Sequence, residues 1–190
     1  PVGKTIFVEL ESADVAHSFW IPGLAGKTDM LPGLTNKMYF DAKEPGTYLG
    51  KCAELCGASH ALMDFKVIAL PQEEFDAWVA EMTTPATVSE GVAAGEELFK
   101  ANCMQCHAIS PDGLSMGPNL NNFAERLTVG GYRENTAEWI YKWIESPQEI
   151  KQGATMPAFG EEYADLDGEP DDAAMTSSER FLTDQEIEAL

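Results

Sequence analysis

Residues 52–63 concentrate side chains that can bind a soft metal ion. The stretch contains the thiols of Cys52 and Cys56, the imidazole of His60 and the thioether of Met63. These are the donor groups that select copper over calcium or magnesium. His17, on an earlier segment, can supply a second imidazole. The sequence therefore predicts a copper site.

The number of thiols distinguishes between two kinds of copper site. A mononuclear blue-copper site uses one thiolate, two histidines and a weak methionine. Here two thiols lie four residues apart, with one imidazole nearby and one distant, which suits two copper ions bridged by both sulfurs. Each ion would hold both sulfurs and one histidine, with Met63 as a weak ligand of one ion and a loop carbonyl serving the other. The alternative is a Cys52–Cys56 disulfide.

A second motif, Cys103-Met-Gln-Cys106-His107, follows in the other half of the chain. With this spacing both sulfurs can add to the vinyl groups of a haem while the adjacent histidine takes an axial position. A redox-active cysteine pair or half of a zinc site are weaker alternatives, because no second cysteine pair and no spare histidine remain. We therefore expect covalently attached haem c.

The sixth iron ligand is expected to be a methionine from farther along the chain. The candidates are Met104, Met116, Met156 and Met175. Met156 is favoured because it lies between Gly153 and Gly160 and follows a predicted amphipathic helix. A methionine opposite histidine also raises the haem potential, as an electron carrier requires. Pro118 is expected to accept a hydrogen bond from the His107 ring and so fix its tautomer.

The first part of the chain reads as short strands separated by turns. Period-two or apolar runs bounded by Pro and Gly predict strands at 4–11, 37–40, 47–50 and 64–70. Such strands imply a sandwich, which can bring His17, on a further strand, to the copper loop. The Gly- and Pro-rich residues between Trp20 and Asn36 are expected to form an irregular loop.

Helical spacing takes over at residue 71. We predict a capping helix at 71–82, a linker at 83–88, a helix N-capped by Ser89, and a helix at 136–145. A capping box at 183–186 predicts a final short helix. The expected domains are thus 1–82 and 89–190, joined by the linker.

The formal charge of −20 is uneven and excludes one class of partner. Six lysines face twelve acidic residues up to Met82, whereas six basic residues face twenty acidic ones afterwards. Nucleic acid is therefore not an expected partner. The acidic stretch 161–180 fits either a solvated face or a surface for a basic partner. Because no apolar run reaches about 18 residues, we expect a soluble fragment without a span or signal peptide.

The two halves each resemble a known family. The segments His17-Ser-Phe-Trp, Lys27-Thr-Asp and 52–63 resemble the CuA domain of cytochrome c oxidase subunit II. Residues 103–107 and Thr155-Met-Pro resemble a class I cytochrome c, and the fusion of the two is typical of caa3-type oxidases. The resemblance implies a cupredoxin-like β-sandwich followed by a small all-α cytochrome c domain. It gives the acidic stretch no role.

The resemblance also implies a ligand set. The two coppers of CuA would be bound by His17, Cys52, Cys56, His60, Met63 and the carbonyl of Glu54. The Glu54 side chain would then be free to reach a magnesium ion at the interface with subunit I. The haem would be held by Cys103, Cys106, His107 and Met156.

The implied function is electron transfer within a respiratory oxidase. Electrons would pass from a donor such as a cytochrome c through haem c and CuA to subunit I, which reduces oxygen in a proton-translocating complex with other subunits. The oxygen-reducing site is not expected in this chain, because no histidines remain for it. We expect an extracytoplasmic position on a bacterial cytoplasmic membrane, with an N-terminal membrane hairpin and early strands missing. The alternatives are a free-standing electron shuttle and a nitrous oxide reductase fragment lacking its histidine-rich domain.

Overall fold

The computed structural model describes residues 1–85, 92–160 and 185. The chain divides into two compact units, Pro1–Glu81 and Met82–Leu190. Part of the linker predicted at 83–88 lies outside the described residues, so the predicted domain limits stay a prediction. The predicted Ser89 cap, the acidic stretch 161–180 and all of the capping box except residue 185 also lie outside them.

The first unit contains two antiparallel sheets. The smaller sheet pairs β1 (Ile6–Leu10) with β4 (Asn36–Phe40). The larger sheet has the strand order β3-β2-β5-β6, formed by Thr28–Met30, His17–Trp20, Gly46–Cys52 and Asp64–Ala69. The alternating burial along β1 and β6 reflects the period-two pattern of their sequences. All four predicted strands are present, and His17 begins β2 as expected.

Strand β3 corrects one prediction, because the segment between Trp20 and Asn36 is not wholly irregular. Ser18 in β2 lies opposite Asp29 in β3, and its fully buried hydroxyl donates a hydrogen bond of 2.8 Å to Asp29 Oδ1. The Asn36 side chain donates to the Asp29 carbonyl at 2.7 Å. These side-chain hydrogen bonds hold a three-residue strand that has no hydrophobic pattern of its own.

Helix α1 (Gln72–Met82) follows β6. Its position agrees with the prediction, but its predicted role as a cap over the strands is not supported. Trp78 and Val79, on the apolar face, remain 48% and 37% exposed, and no residue of the helix is buried.

The second unit is mainly helical. It contains α2 (Ala93–Asn102), α3 (Ala137–Glu145) and α4 (Pro147–Ile150). The Thr136 hydroxyl caps α3 by accepting a hydrogen bond from the Trp139 amide at 3.3 Å. Two short strands, β7 (Thr128–Val129) and β8 (Arg133–Glu134), form a hairpin that the all-α prediction omitted.

The hairpin turn depends on two glycines. Gly130 and Gly131 have φ values of +60° and +82°, a left-handed region that favours glycine. A Cβ atom on Gly130 would also lie 2.3 Å from the Trp143 ring of α3. On another side of α3, Tyr141 and Ile144 pack with Leu98 and Met156 around the buried ring of Phe159. Helix α3 therefore contacts both the hairpin and the Met156 loop.

Candidate copper and haem sites

The copper loop is closed at its base by backbone hydrogen bonds. Strand β5 ends at Cys52, and the loop returns through a short 3₁₀ turn at His60–Leu62. The Cys52 amide donates to the Met63 carbonyl at 2.9 Å, and the Ala53 amide donates to the Ser18 carbonyl at 2.9 Å. These bonds fix both ends of the loop against β2 and β6.

Within this loop the two cysteine sulfurs lie 3.7 Å apart. This separation is well beyond a disulfide bond of about 2 Å, and both cysteines are free thiols. Each sulfur faces its own imidazole. His17 Nδ1 lies 3.7 Å from Cys52 Sγ, and His60 Nδ1 lies 3.4 Å from Cys56 Sγ.

Each half of the site also has one weak donor. The Glu54 carbonyl oxygen lies 3.2 Å from Cys52 Sγ, and the thioether sulfur of Met63 lies 3.9 Å from Cys56 Sγ. The donor set is thus two thiols, two imidazoles, one carbonyl and one thioether in two similar halves. This chemistry fits two copper ions that share both sulfurs.

Three of these donor groups also lie close together as a set. Among the described residues, one donor atom each from His17, Cys52 and Cys56 lie within 4.8 Å of one another. His60 is close to Cys56 but falls outside that group. Two ions side by side do not require all ligands to meet at one point, so His60 can bind one ion through its contact with Cys56. The assignment of the ligands stays a prediction.

The electrostatics of the metal-free loop make the two thiols unequal. Burial raises the pKa of Cys52, but hydrogen bonds at the Ser18 and Glu54 backbone and from His17 outweigh it and lower the pKa to about 6. Burial and the neighbouring Cys52 sulfur instead raise the pKa of Cys56. One thiolate is therefore already formed near neutral pH, whereas a metal ion must displace the proton of the other.

Asp14 contacts a predicted copper ligand, and the sequence interpretation missed it. Its Oδ1 atom accepts a hydrogen bond of 2.8 Å from His17 Nε2, which leaves Nδ1 directed at Cys52. The hydrogen bonds from His17 and the Val15 amide lower the pKa of Asp14 to about 2. Despite burial, the hydrogen bond to Asp14 helps raise the pKa of His17. The Asp-x-x-His spacing before β2 was the available signal.

An aromatic stack positions the strands that carry His17 and Cys52. Phe19, opposite Cys52 in the β2–β5 register, stacks on Phe65 with ring centroids 4.6 Å apart. Gly50 lies opposite Phe65, and a Cβ atom there would lie 2.2 Å from the ring. The bare backbone of Gly50 therefore gives the aromatic pair its space beside the copper loop.

The haem motif lies on the turn that follows α2. Cys103 closes the helix by donating its amide to the Phe99 carbonyl at 2.8 Å, and the His107 amide donates to the Cys103 carbonyl at 2.9 Å. Burial raises the pKa of the Cys103 thiol to about 11. Cys103 and Cys106 are both free, as thioether formation requires.

The imidazole of His107 is held from one side. Its Nδ1 atom lies 2.7 Å from the Pro118 carbonyl, so Nδ1 donates and Nε2 is left for a metal ion. The contact predicted for Pro118 is present, while its part in cofactor binding stays a prediction. A Cβ atom on Gly117 would lie 2.7 Å from the His107 ring, so only glycine permits this approach. These features fit the haem c motif.

The methionine candidates differ in their surroundings. Met156 packs against Phe159, and its carbonyl accepts a hydrogen bond of 2.6 Å from the Gln148 side chain. Met116 and Met104 are 85% and 47% exposed, and Met175 lies outside the described residues. Partial burial in an ordered loop supports Met156, which stays the predicted ligand. No contact in the described residues bears on magnesium at Glu54.

In the described part of the chain, no helix combines the length and apolar composition needed to cross a bilayer.

Comparison with known proteins assigns a family to each half. Residues 1–70 match the model of the cytochrome c oxidase subunit II periplasmic domain. Residues 92–190 match the cytochrome c model. These matches confirm the predicted fold class, a cupredoxin-like β domain followed by a helical cytochrome c domain.

Two relatives align with most of this chain. Cytochrome c oxidase subunit 2 of Alkalihalophilus pseudofirmus is 49% identical over 84% of this chain and 47% of its own length. The Bacillus subtilis subunit 2 is 42% identical over 82% of this chain and 48% of its own length. The chain thus spans about half the length of these relatives.

Among solved structures, the periplasmic domain of subunit II of cytochrome oxidase (CoxB) of Bradyrhizobium japonicum is 40% identical. The match covers 42% of this chain and 58% of that one, with a TM-score of 0.41. Taken with the donor geometry, the two family matches identify the chain as a cytochrome c oxidase subunit II periplasmic domain followed by a member of the cytochrome c family.

Proposed function

We propose that this chain is the electron-transfer part of subunit II of a caa3-type cytochrome c oxidase. It receives electrons at its haem c unit and delivers them through its CuA unit to subunit I, where oxygen is reduced to water. The observation that carries the proposal is the pairing of each cysteine sulfur with its own imidazole, 3.7 and 3.4 Å away. The same chain carries a Cys-x-x-Cys-His motif whose histidine is held by a carbonyl.

The bound groups would supply one-electron exchange, and the protein supplies fixed ligands around them. Asp14 and Pro118 each hold the far nitrogen of a ligand imidazole, so neither ring needs to turn when the charge at the metal changes. The Phe19–Phe65 stack and the closed base of the copper loop restrict the movement of the sulfurs. A rigid, preformed set of ligands is what fast electron transfer requires.

The partners and location follow from the same proposal. The periplasmic family of residues 1–70 gives an extracytoplasmic location, and we propose the outer face of a bacterial cytoplasmic membrane. The partners are subunit I, the other oxidase subunits and a donor such as a cytochrome c. Glu54, whose carbonyl faces Cys52, is proposed to direct its carboxylate to magnesium at the subunit I interface.

Copper stoichiometry and electron paramagnetic resonance test the binuclear site. The metallated chain should bind two copper ions and give hyperfine structure from both nuclei, and Cys52→Ser or Cys56→Ser should remove this signal. One copper per chain, with hyperfine lines from a single nucleus, would contradict the proposal.

Rapid mixing of the assembled oxidase with its donor tests the electron path. The haem should be reduced before copper, and Cys56→Ser should leave the haem reducible while oxygen consumption stops. Reduction of copper before the haem would reverse the proposed order. A full-length chain that never co-purifies with subunit I would instead favour a free-standing electron shuttle.

A further inference from the structure

Met156 lies in a loop without regular secondary structure, between α4 and the buried ring of Phe159. The next residue, Pro157, has no N–H group, and its ring keeps Met156 out of the helical region of backbone conformation. The Met156 carbonyl therefore cannot join a helical ladder, and it needs a donor from a side chain or from water.

Backbone hydrogen bonds fasten the two ends of this loop. At its start, the Ala154 amide donates to the Lys151 carbonyl at 3.0 Å. At its end, the Phe159 amide donates to the Ile144 carbonyl of α3 at 3.1 Å. Met156 lies between these two points, with its side chain half-buried against Phe159. The part of the loop that carries the thioether therefore depends on other contacts to stay in place.

The side chain of Gln148, in α4, supplies such contacts. Its Nε2 atom donates to the Met156 carbonyl at 2.6 Å and lies 3.4 Å from the Ala154 carbonyl. Both partners are carbonyl oxygens, which only accept hydrogen bonds, so the amide nitrogen of Gln148 rather than its oxygen faces the loop. The preceding residue, Pro147, is fully buried, which fixes the base of the Gln148 side chain.

We propose that Gln148 is a positioning residue for Met156, because its side-chain amide holds the loop in the conformation that presents the thioether to the iron. This inference rests on the proposed haem function and on Met156 as the sixth ligand. Opening of the loop would carry the thioether away, so the hydrogen bonds from Gln148 oppose loss of the ligand. Removing them should favour the open loop by roughly 3- to 10-fold, the usual net effect of a hydrogen bond.

The test measures how fast imidazole replaces the methionine in the oxidised, haem-loaded full chain. At saturating imidazole the rate no longer depends on the imidazole concentration, and it then reports the opening of the loop. Stopped-flow absorbance follows the loss of the methionine–iron band. Gln148→Met keeps the length of the side chain without its polar group, and Gln148→Glu replaces the donor by an acceptor of the same shape. Glu149→Gln is the matched control at the neighbouring exposed position of α4.

The limiting rate should rise roughly 3- to 10-fold in Gln148→Met, because the two carbonyls lose their donor. It should rise at least as much in Gln148→Glu, because a carboxylate would then face two carbonyl oxygens. Glu149→Gln should keep the wild-type rate. Before imidazole is added, the methionine band should be present in every variant, since the ligand itself is unchanged. A role of the Gln148 stem in packing alone would leave both variants at the wild-type rate, because both keep the stem.

Wild-type rates in both Gln148 variants would overturn the inference. If Gln148→Met yields no folded haem protein, an unchanged rate in Gln148→Glu would overturn it equally. The ligand assignment is checked separately with Met156→Ala. If Met156→Ala retains the methionine band, Met156 is not the ligand, and this inference fails with that assignment. Loss of the band in Met156→Ala, together with wild-type rates in the Gln148 variants, would refute only the role of Gln148.

Discussion

His17 Nε2 donates a hydrogen bond of 2.8 Å to Asp14 Oδ1, on the opposite edge of the imidazole from the Nδ1 atom that faces Cys52. The carboxylate therefore selects the tautomer that leaves Nδ1 free to bind metal. It lies on the segment before β2 and is well exposed, with 70% of its side-chain surface accessible. Its position relative to the ring, rather than burial, gives it this role.

Asp14→Ala should weaken copper binding by roughly 10- to 100-fold, the usual effect of removing a carboxylate that orients a histidine ligand. The Cys52 and Cys56 thiols remain in place, so the site should still take up two ions at high copper concentration. Competition with a copper chelator measures the affinity. Asp41→Ala is the control, because Asp41 pairs with Lys43 and takes no part in the site. Equal affinities in the two variants would contradict the role of Asp14.

In protein produced without copper and without haem attachment, alkylation should distinguish three cysteines by the pH at which each reacts. The reaction of Cys52 with iodoacetamide should have its midpoint near pH 6, and that of Cys103 near pH 11. The midpoint for Cys56 should lie above the ordinary pKa of a cysteine thiol. The thiolate is the reactive form, so the rate follows its fraction. Mass spectrometry of the digested protein reads all three sites in one sample. Similar pH profiles for Cys52 and Cys56 would show that the loop does not separate their pKa values.

The same pKa difference affects the stability of the metal-free first unit. The folded-state pKa of Cys52 lies below its ordinary value of 9.0. The stabilisation of the fold by the Cys52 thiolate is therefore fully present above pH 9.0. The contribution is lost as pH falls towards about 6. His17, whose pKa is raised, acts in the opposite direction and loses its contribution as pH rises. The urea midpoint of Cys52→Ser should therefore fall less than that of the wild type between pH 9 and pH 6.

Gly50→Ala should destabilise the first unit by about 1–3 kcal/mol, because the added methyl group meets the Phe65 ring. Phe65→Leu reduces the bulk at that point, so the double variant should be less destabilised than the sum of the two single variants. Urea denaturation of the four proteins gives the coupling free energy. Gly26→Ala is the control, because nothing lies within 4 Å of a Cβ atom there. Additive effects would mean that the ring moves aside without strain.

Met156→Ala should remove the methionine–iron absorbance band of the oxidised haem while the haem stays covalently attached. Met116→Ala should leave the band intact, because Met116 is 85% exposed on the loop after the haem motif. Optical spectra of the two variants, with pyridine haemochrome assays of haem content, make the comparison. Loss of the band in Met116→Ala alone would reassign the ligand.

The clustering of the predicted copper-binding groups could be predicted because most of them lie in residues 52–63, where spacing along the chain nearly determines spacing in space. Asp14 was missed despite its Asp-x-x-His spacing, because its contact depends on which edge of the His17 ring faces the thiols. Strand β3 was not predicted because side-chain hydrogen bonds to Asp29 hold it in place. Such bonds require no alternation of apolar and polar residues in the sequence.

The hairpin in the second unit was missed for another reason. Its strands have only two residues each, too short to form a pattern, although Gly130-Gly131 was a usable turn signal. The environment of Arg133 could not be foreseen either. It arises because the hairpin and α3 place the ring centres of Tyr132 and Trp139 4.5 and 4.1 Å from one guanidinium carbon.

His17 and Cys52 are 35 residues apart in sequence, yet their donor atoms are neighbours. A metal centre bound by both residues would be a cross-link between β2 and β5, closing a loop of that length in the unfolded chain as well. Such a closure removes chain entropy from the unfolded state, as a disulfide does, and the benefit grows slowly with loop length. The described cysteines of this unit form no disulfide, so the redox centre would also be the covalent-like cross-link that stabilises the β-sandwich.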